Sequence, residues 1–251
     1  MPFILANGVN THYQELGQGP TVVMIHGLLL DNLALWYFTA GSIIKGHRRA
    51  LMYDLRGHGN SDKTPSGFDV ETLSRDLAGV VDELAPDEII DLCAFSYGCL
   101  IALRYALDHP ARVRCMVLVD APLPPKDFDA DRWLQADVST LVASLPETLR
   151  KAVLLAPGRA LKMAQRVAFL ARQTTLIDDI KREPALPAAD LALLTIPTLC
   201  IYGEQSEFRD DGDRLAAALP NANLCLLPGS HRLLNECAPA VTMLAEEFLN
   251  G

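Results

Sequence analysis

Along this chain an apolar run of strand length ends, again and again, in a polar loop-forming stretch. TVVMIHG (Thr21–Gly27) is the first, and RRALMYDLRGHG repeats it, with strand residues Ala50–Tyr53 and a loop from Asp54. EIIDLCAFS ends at Ser96, VRCMVLVDAP carries Asp120 past its apolar core, PTLCIYGE ends at Glu204 and ANLCLLPGSH at His231. Runs that are apolar throughout, without alternation, predict strands buried on both faces, as in a mostly parallel sheet. Helical patterns fall between them. Val70, Leu73, Leu77, Val80, Val81 and Leu84 recur at helical spacing, Tyr97–Leu107 is apolar nearly all round, and Arg214–Leu219 and Val241–Leu249 give two more helices. Two short β runs, Phe3–Ala6 and Thr11–Leu16, flank an Asn-Gly turn signal at the start. Alternating strand and helix imply right-handed crossovers and an open, doubly wound α/β sheet. In such a sheet reactive groups gather at the carboxyl ends of strands, where His26, Asp54, Ser96, Asp120, Glu204 and His231 all fall.

The alternation lapses once. From Pro122 to about Leu194 helical stretches are divided by prolines, with no clear strand. Leu141, Val142, Leu154, Leu155, Met163, Val167, Phe169 and Leu170 are too many apolar residues for a structureless loop. The expected organisation is a core of residues 1–121 and 195–251 with a helical cap, 122–194, inserted between two late strands over the active end of the sheet. The apolar cap composition predicts an apolar substrate pocket. Its cations, Arg132, Lys151, Arg159, Lys162 and Arg166, either meet a carboxylate or solvate the outer helix face, and solvation is the expectation because helical charge is usually exposed.

Bulk properties exclude several classes. A net charge of −9 and a pI near 5.1 argue against a nucleic-acid partner. No apolar run reaches the roughly 18 residues of a membrane span, and the first residues lack a signal-peptide pattern. The six cysteines form no CxxC pair and lie mostly in apolar runs, as buried reduced thiols of a cytoplasmic protein would. No histidine or cysteine spacing suggests a metal site, and no cofactor is expected.

The chemistry centres on LCAFSYGCLIALRYA, Leu92–Ala106. A serine hydroxyl is a weak nucleophile until a base takes its proton and donors stabilise the oxyanion. A tight strand-to-helix turn at Ser96 lifts the hydroxyl clear of the sheet and puts the Tyr97 N–H beside it, at the positive end of a helix. Strand and helix backbones approach closely there, so small residues must flank the serine; Gly98 supplies one and Ala94 the other. By itself the pattern also fits an ordinary helix N-cap.

With HGLLLD after the early strand, YDLRGHGNSD after the next, the serine turn and LPGSH near the end, the chain resembles the α/β-hydrolase fold superfamily, in its capped esterase/thioesterase-like branch. The resemblance runs from Pro2 to Leu249 and implies the α/β-hydrolase fold. It makes Ser96 the nucleophile, His231 the general base, and the backbone N–H groups of Leu28 and Tyr97 the oxyanion hole. His26 is expected behind the oxyanion loop, and Asp54, Arg56, His58 and Ser61 in a self-bonded structural loop; His12, His47 and His109 carry no partner pattern.

The resemblance also implies an acid three residues after Gly203, where this chain has Ser206. The preferred substitute is Asp120, at the end of the strand next to the serine strand; Glu207, one residue off, is the alternative, and no acid at all the third. Ser230 stands before His231 where glycine is usual. The resulting expectation is a cofactor-independent serine hydrolase that cleaves or transfers the acyl group of a small-molecule ester, thioester or related acyl compound through an acyl-enzyme. The alternatives are a non-hydrolytic member (lyase, cyclase or ligand-binding module) or a carbon–carbon bond hydrolase.

Overall fold

The computed structural model describes residues 2–45, 47–124, 150–151 and 157–251. Eight strands form one sheet: β1 Phe3–Ala6, β2 Val9–Leu16, β3 Thr21–Ile25, β4 Arg49–Tyr53, β5 Ile90–Phe95, β6 Val113–Val119, β7 Thr198–Gly203 and β8 Ala222–Leu227. Their order is β1-β2-β4-β3-β5-β6-β7-β8. β1 and β2 run antiparallel to their neighbours and every later pairing is parallel. The chain leaves β3 for β4 on one side and returns to β5 on the other. The topological switch therefore lies between β3 and β5, whose carboxyl ends open into one crevice.

The described helices are α1 Tyr37–Lys45, α2 Val70–Leu84, α3 Tyr97–Asp108, α4 Pro157–Gln173, α5 Leu176–Arg182, α6 Ala188–Leu191, α7 Arg209–Ala218, α8 Leu233–Glu236 and α9 Ala238–Asn250. Successive strand residues point to opposite faces, so each central strand feeds two cores. Val23 and Ile25 of β3, Leu92 and Ala94 of β5, and Met116 and Leu118 of β6 pack with α2, α3 and Leu215 of α7. Val22, Met24, Cys93, Phe95, Val117 and Val119 pack on the other face with Trp36, Ala40 and the α9 residues Val241, Ala245 and Leu249. This two-sided burial is why the runs read as continuous apolar segments. A third cluster joins Val167 and Leu170 of α4 and Leu176 and Ile177 of α5 to Leu29 and Phe68 of the core.

Residues 125–149 and 152–156 of the expected cap, with Arg132, Leu141, Val142, Leu154 and Leu155, lie outside the described residues, as does the Arg159 side chain. All six cysteines are free; four are buried, and burial pushes Cys200 up to about 12. Among the described residues no helix is long and apolar enough to cross a membrane, and no group of His, Cys, Asp and Glu could hold a metal ion.

Candidate active site

β5 stops at Phe95 and α3 starts at Tyr97, which leaves Ser96 alone to turn the chain, at φ 54° and ψ −129°. A non-glycine residue there costs on the order of 1–3 kcal/mol. The Ser96 N–H bond to Val119 O (2.9 Å) and the Cys99 N–H bond to Ser96 O (2.9 Å) hold it. The neighbouring glycines are required by close approach. A Cβ on Gly98 would lie 2.7 Å from the His26 carbonyl, and one on Gly27 would lie 3.1 Å from Ser96 Cβ. Ala94, opposite Ile25 of β3 and fully buried, meets the same crowding with one methyl group. Tyr97 opens α3, so its N–H has no intrahelical acceptor and stands at the positive end of the helix.

His231 sits in the loop after β8. Its Nδ1 lies 2.6 Å from Oδ2 of Asp120. Asp120 follows the last residue of β6, is wholly buried and has φ 52°. Its Oδ1 accepts the Gly203 N–H at 2.9 Å, and its Oδ2 also accepts the Ser206 hydroxyl at 2.5 Å. The serine at the usual acid position thus donates to a carboxylate supplied by the neighbouring strand. Glu207 is exposed. With Nδ1 donating to Asp120, Nε2 is the ring nitrogen left with a lone pair for a hydroxyl proton. Phe95 stacks on the His231 ring at 5.1 Å and Phe208 meets it edge-on at 4.8 Å, which fixes the ring plane. Ser230 explains its own departure from glycine: its N–H and hydroxyl both donate to the Glu236 carboxylate, at 2.7 and 2.8 Å, tying the histidine loop to α8.

Replacing Ser206 by aspartate restores the usual acid by residue type, yet sets a second carboxylate against a buried one. One pKa unit of like-charge repulsion corresponds to about a tenfold effect, so Ser206→Asp is expected to lower turnover of an activated ester by about tenfold or more. Steady-state kinetics between pH 6 and 9 would show it; a rate above wild type would reverse the assignment.

Three buried histidines frame the loop after β3. His26 Nδ1 donates to Gly27 O (2.6 Å) and its Nε2 accepts the Leu55 N–H (3.0 Å). His58 Nδ1 donates to Arg56 O (2.8 Å) and its Nε2 accepts the Leu29 N–H (2.9 Å). Leu29 stands at φ 67°, directly after the expected oxyanion donor Leu28, so His58 pins a strained residue of that loop. His12, which showed no partner pattern in sequence, bonds Asp54 at 2.7 Å, and Asp54 also accepts the Leu33 and Asn60 N–H groups. Ser61 caps the same loop through Asp54 O, while Arg56 leaves it and pairs with buried Asp76 at 2.6 Å. Long-range partners of this kind leave no local signal in a sequence.

Burial lowers the pKa of His26; burial, and after it the neighbouring His26, brings His58 down to about 3. Unfolded histidines titrate near 6.5, so below that pH the unfolded chain binds more protons than the folded one. The stability these rings contribute is complete above about pH 6.5 and declines as pH falls toward about 3. Thermal melts from pH 7 to 4 should show Tm dropping, and His58→Gln, which keeps an acceptor but does not titrate, should flatten the drop. An unchanged slope would remove His58 from the account.

α5 is fastened to the entrance of α2: Asp179 accepts the Phe68 N–H and Glu183 the Val70 N–H, each at 3.0 Å. The Tyr97 hydroxyl donates to the same Glu183 carboxylate at 3.2 Å, so the residue beside Ser96 touches the end of α5 directly. Burial pushes the Glu183 carboxyl up from its ordinary range.

A family model described as alpha/beta hydrolase fold matches residues 20–166. The chain is 28% identical over 247 residues to a non-heme chloroperoxidase of Kitasatospora aureofaciens, covering 89% of both chains. It is 34% identical over 122 residues to a 2-hydroxy-6-oxo-2,4-heptadienoate hydrolase of Pseudomonas putida, covering 47% of this chain and 43% of that one. Among solved structures, the enol-lactonase of Burkholderia xenovorans superposes with a TM-score of 0.82 over the whole of both chains at 22% identity, a likeness of fold.

Proposed function

The chain belongs to the alpha/beta hydrolase fold family, and on that premise we propose that it is a serine hydrolase working through an acyl-enzyme on Ser96. In this reading His231 takes the Ser96 proton through Nε2, and Asp120 holds the ring tautomer and stabilises the cation that forms. The Leu28 and Tyr97 N–H groups receive the oxyanion, and water activated by His231 releases the acid. Small-molecule esters, thioesters or related acyl compounds with an apolar acyl part are the proposed substrates. Residues 122–194 act as the cap, a reading supported by the packing of α4 and α5 on Leu29 and Phe68, beside the oxyanion loop.

The observation that carries the proposal is the 2.6 Å contact between His231 Nδ1 and a fully buried carboxylate at the end of β6. The same contact favours the hydrolytic reading over a non-hydrolytic role, which has no need of an acid behind His231. The test is fluorophosphonate labelling of the wild type, Ser96→Ala and His231→Ala. Labelling of the wild type, abolished in Ser96→Ala and slowed by orders of magnitude in His231→Ala, is the expected result. A folded wild type that does not label sinks the acyl-enzyme.

A further inference from the structure

Beyond the oxyanion loop lies a pocket of ≈ 310 Å³, walled by the backbone turn Leu29–Asn32, by His58 and Gly59, and by one face of α4. Its apolar surface comes from Leu29, Leu30, Met163 and Leu170; its charged lining residues are Lys162, Arg166 and Asp31. The two cations are four residues apart, hence on one face of the helix. We propose that this pocket is a carboxylate subsite, in which Arg166, assisted by Lys162, binds an acidic group on the substrate; the proposal rests on the acyl-enzyme reading of Ser96.

Four observations support it. First, Arg166 is half-buried and lines the same pocket as the buried His58, so it borders the cavity and not only the solvent. For Arg166 this departs from the expectation that the cations solvate an outer face, because Val167 and Leu170 pack onto Phe68 and Leu29 and turn that side of the helix toward the core; Lys162 is exposed, as expected. Second, among the described residues neither Arg166 nor Lys162 has an ion-pair partner, in a chain of net charge −9 where carboxylates are plentiful. Third, the pocket's own acid is turned elsewhere: Asp31 lies against Gly27 and 3.6 Å from Arg232. His58 adds no charge, because one ring nitrogen donates and the other accepts within the loop. Fourth, the wall begins at Leu29, the residue after the proposed oxyanion donor. The pocket therefore adjoins the loop that carries that donor, and a substrate whose carbonyl meets the Leu28 N–H would extend past Leu29 into it.

The test compares two pairs of aryl esters: mono-p-nitrophenyl adipate, acidic on the acyl side, against neutral p-nitrophenyl hexanoate; and 4-hexanoyloxybenzoate, acidic on the alcohol side, against neutral 4-chlorophenyl hexanoate. A charge-assisted contact is expected to favour one acidic ester over a neutral ester of matched leaving-group reactivity by about 10- to 100-fold in kcat/KM, mostly through KM. Whichever arm is favoured identifies the side that carries the acid. In Arg166→Gln that ratio should fall toward one, and Arg166→Lys should restore part of it. A merely structural role would slow both esters and leave the ratio alone, overturning the proposal, as would a wild type indifferent to the acid. Calorimetric binding of hexanoate against uncharged hexanamide to wild type separates the two readings: hexanoate bound tighter, salt-sensitively and through Arg166, upholds the subsite even if no ester turns over, whereas equal binding rejects it.

Discussion

Asp120→Asn is expected to lower turnover of an activated ester by about three to four orders of magnitude, the scale seen when a triad acid is made neutral. The asparagine amide matches the carboxylate in shape, so the Gly203 N–H can keep its acceptor. What is lost is charge and tautomer. A neutral amide beside Nδ1 neither compensates an imidazolium nor obliges Nδ1 to be the protonated nitrogen. The Ser206 hydroxyl, 2.5 Å from Oδ2, loses its charged acceptor too. Because Asp120 is wholly buried, water cannot replace either interaction. Glu207→Gln, at an exposed position, is the control and should stay within about twofold, since surface changes remote from buried networks do little. Equal small effects of the two substitutions would show that Asp120 is not the orienting acid.

The largest effect on stability is expected at the other end of the sheet. Asp91, near the start of β5 and 1% exposed, binds Arg48 at 2.5 Å and Arg114 through two bonds of 2.8 and 2.7 Å. Both arginines also donate to the Leu249 carbonyl near the end of α9, so one carboxylate organises a clamp between β5, β6, the lead into β4 and the last helix. Removing it in Asp91→Ala leaves the buried Arg48 cation without its counter-charge. Breaking a buried pair from one side costs about 3–5 kcal/mol, which in a domain of this size lowers Tm by about 10 °C. Chemical denaturation or a thermal melt measures it, and a loss under about 1 kcal/mol would mean that water or the remaining partners satisfy Arg48. The two substitutions should separate cleanly. Asp91 lies at the amino end of the strand whose carboxyl end leads into Ser96, so the folded fraction of Asp91→Ala should label with fluorophosphonate at the wild-type rate, while Asp120→Asn should melt nearly as wild type and turn over poorly.

The strands, the serine turn and the histidine loop were legible in the sequence because each is written locally. A buried strand is an apolar run, an amphipathic helix a spacing, and a tight turn a pair of small residues around Ser96. The helix after β7 carries two such local signals: its apolar pattern points to Arg214–Leu219, and Asp210 and Asp211, carboxylates that favour a helix amino end, mark the start that the helix makes at Arg209.

What the sequence by itself determined is the sheet, its order of loops and the two residues, Ser96 and His231, whose motifs are contiguous. Which carboxylate meets His231 stays open in the sequence among Asp120, the preferred one, Glu207 and none, because both acids follow strands that end on the same edge. The tertiary structure decided that geometry through strand register. β6 pairs with β7 so that the Asp120 side chain lies against Gly203 and Ser206, while the turn after Gly203 leaves Glu207 in solvent. The same holds for His12 with Asp54, Arg56 with Asp76 and Tyr97 with Glu183: partners set by through-space approach across tens of residues. Local pattern records which face a residue takes; only the packed register determines what stands opposite it.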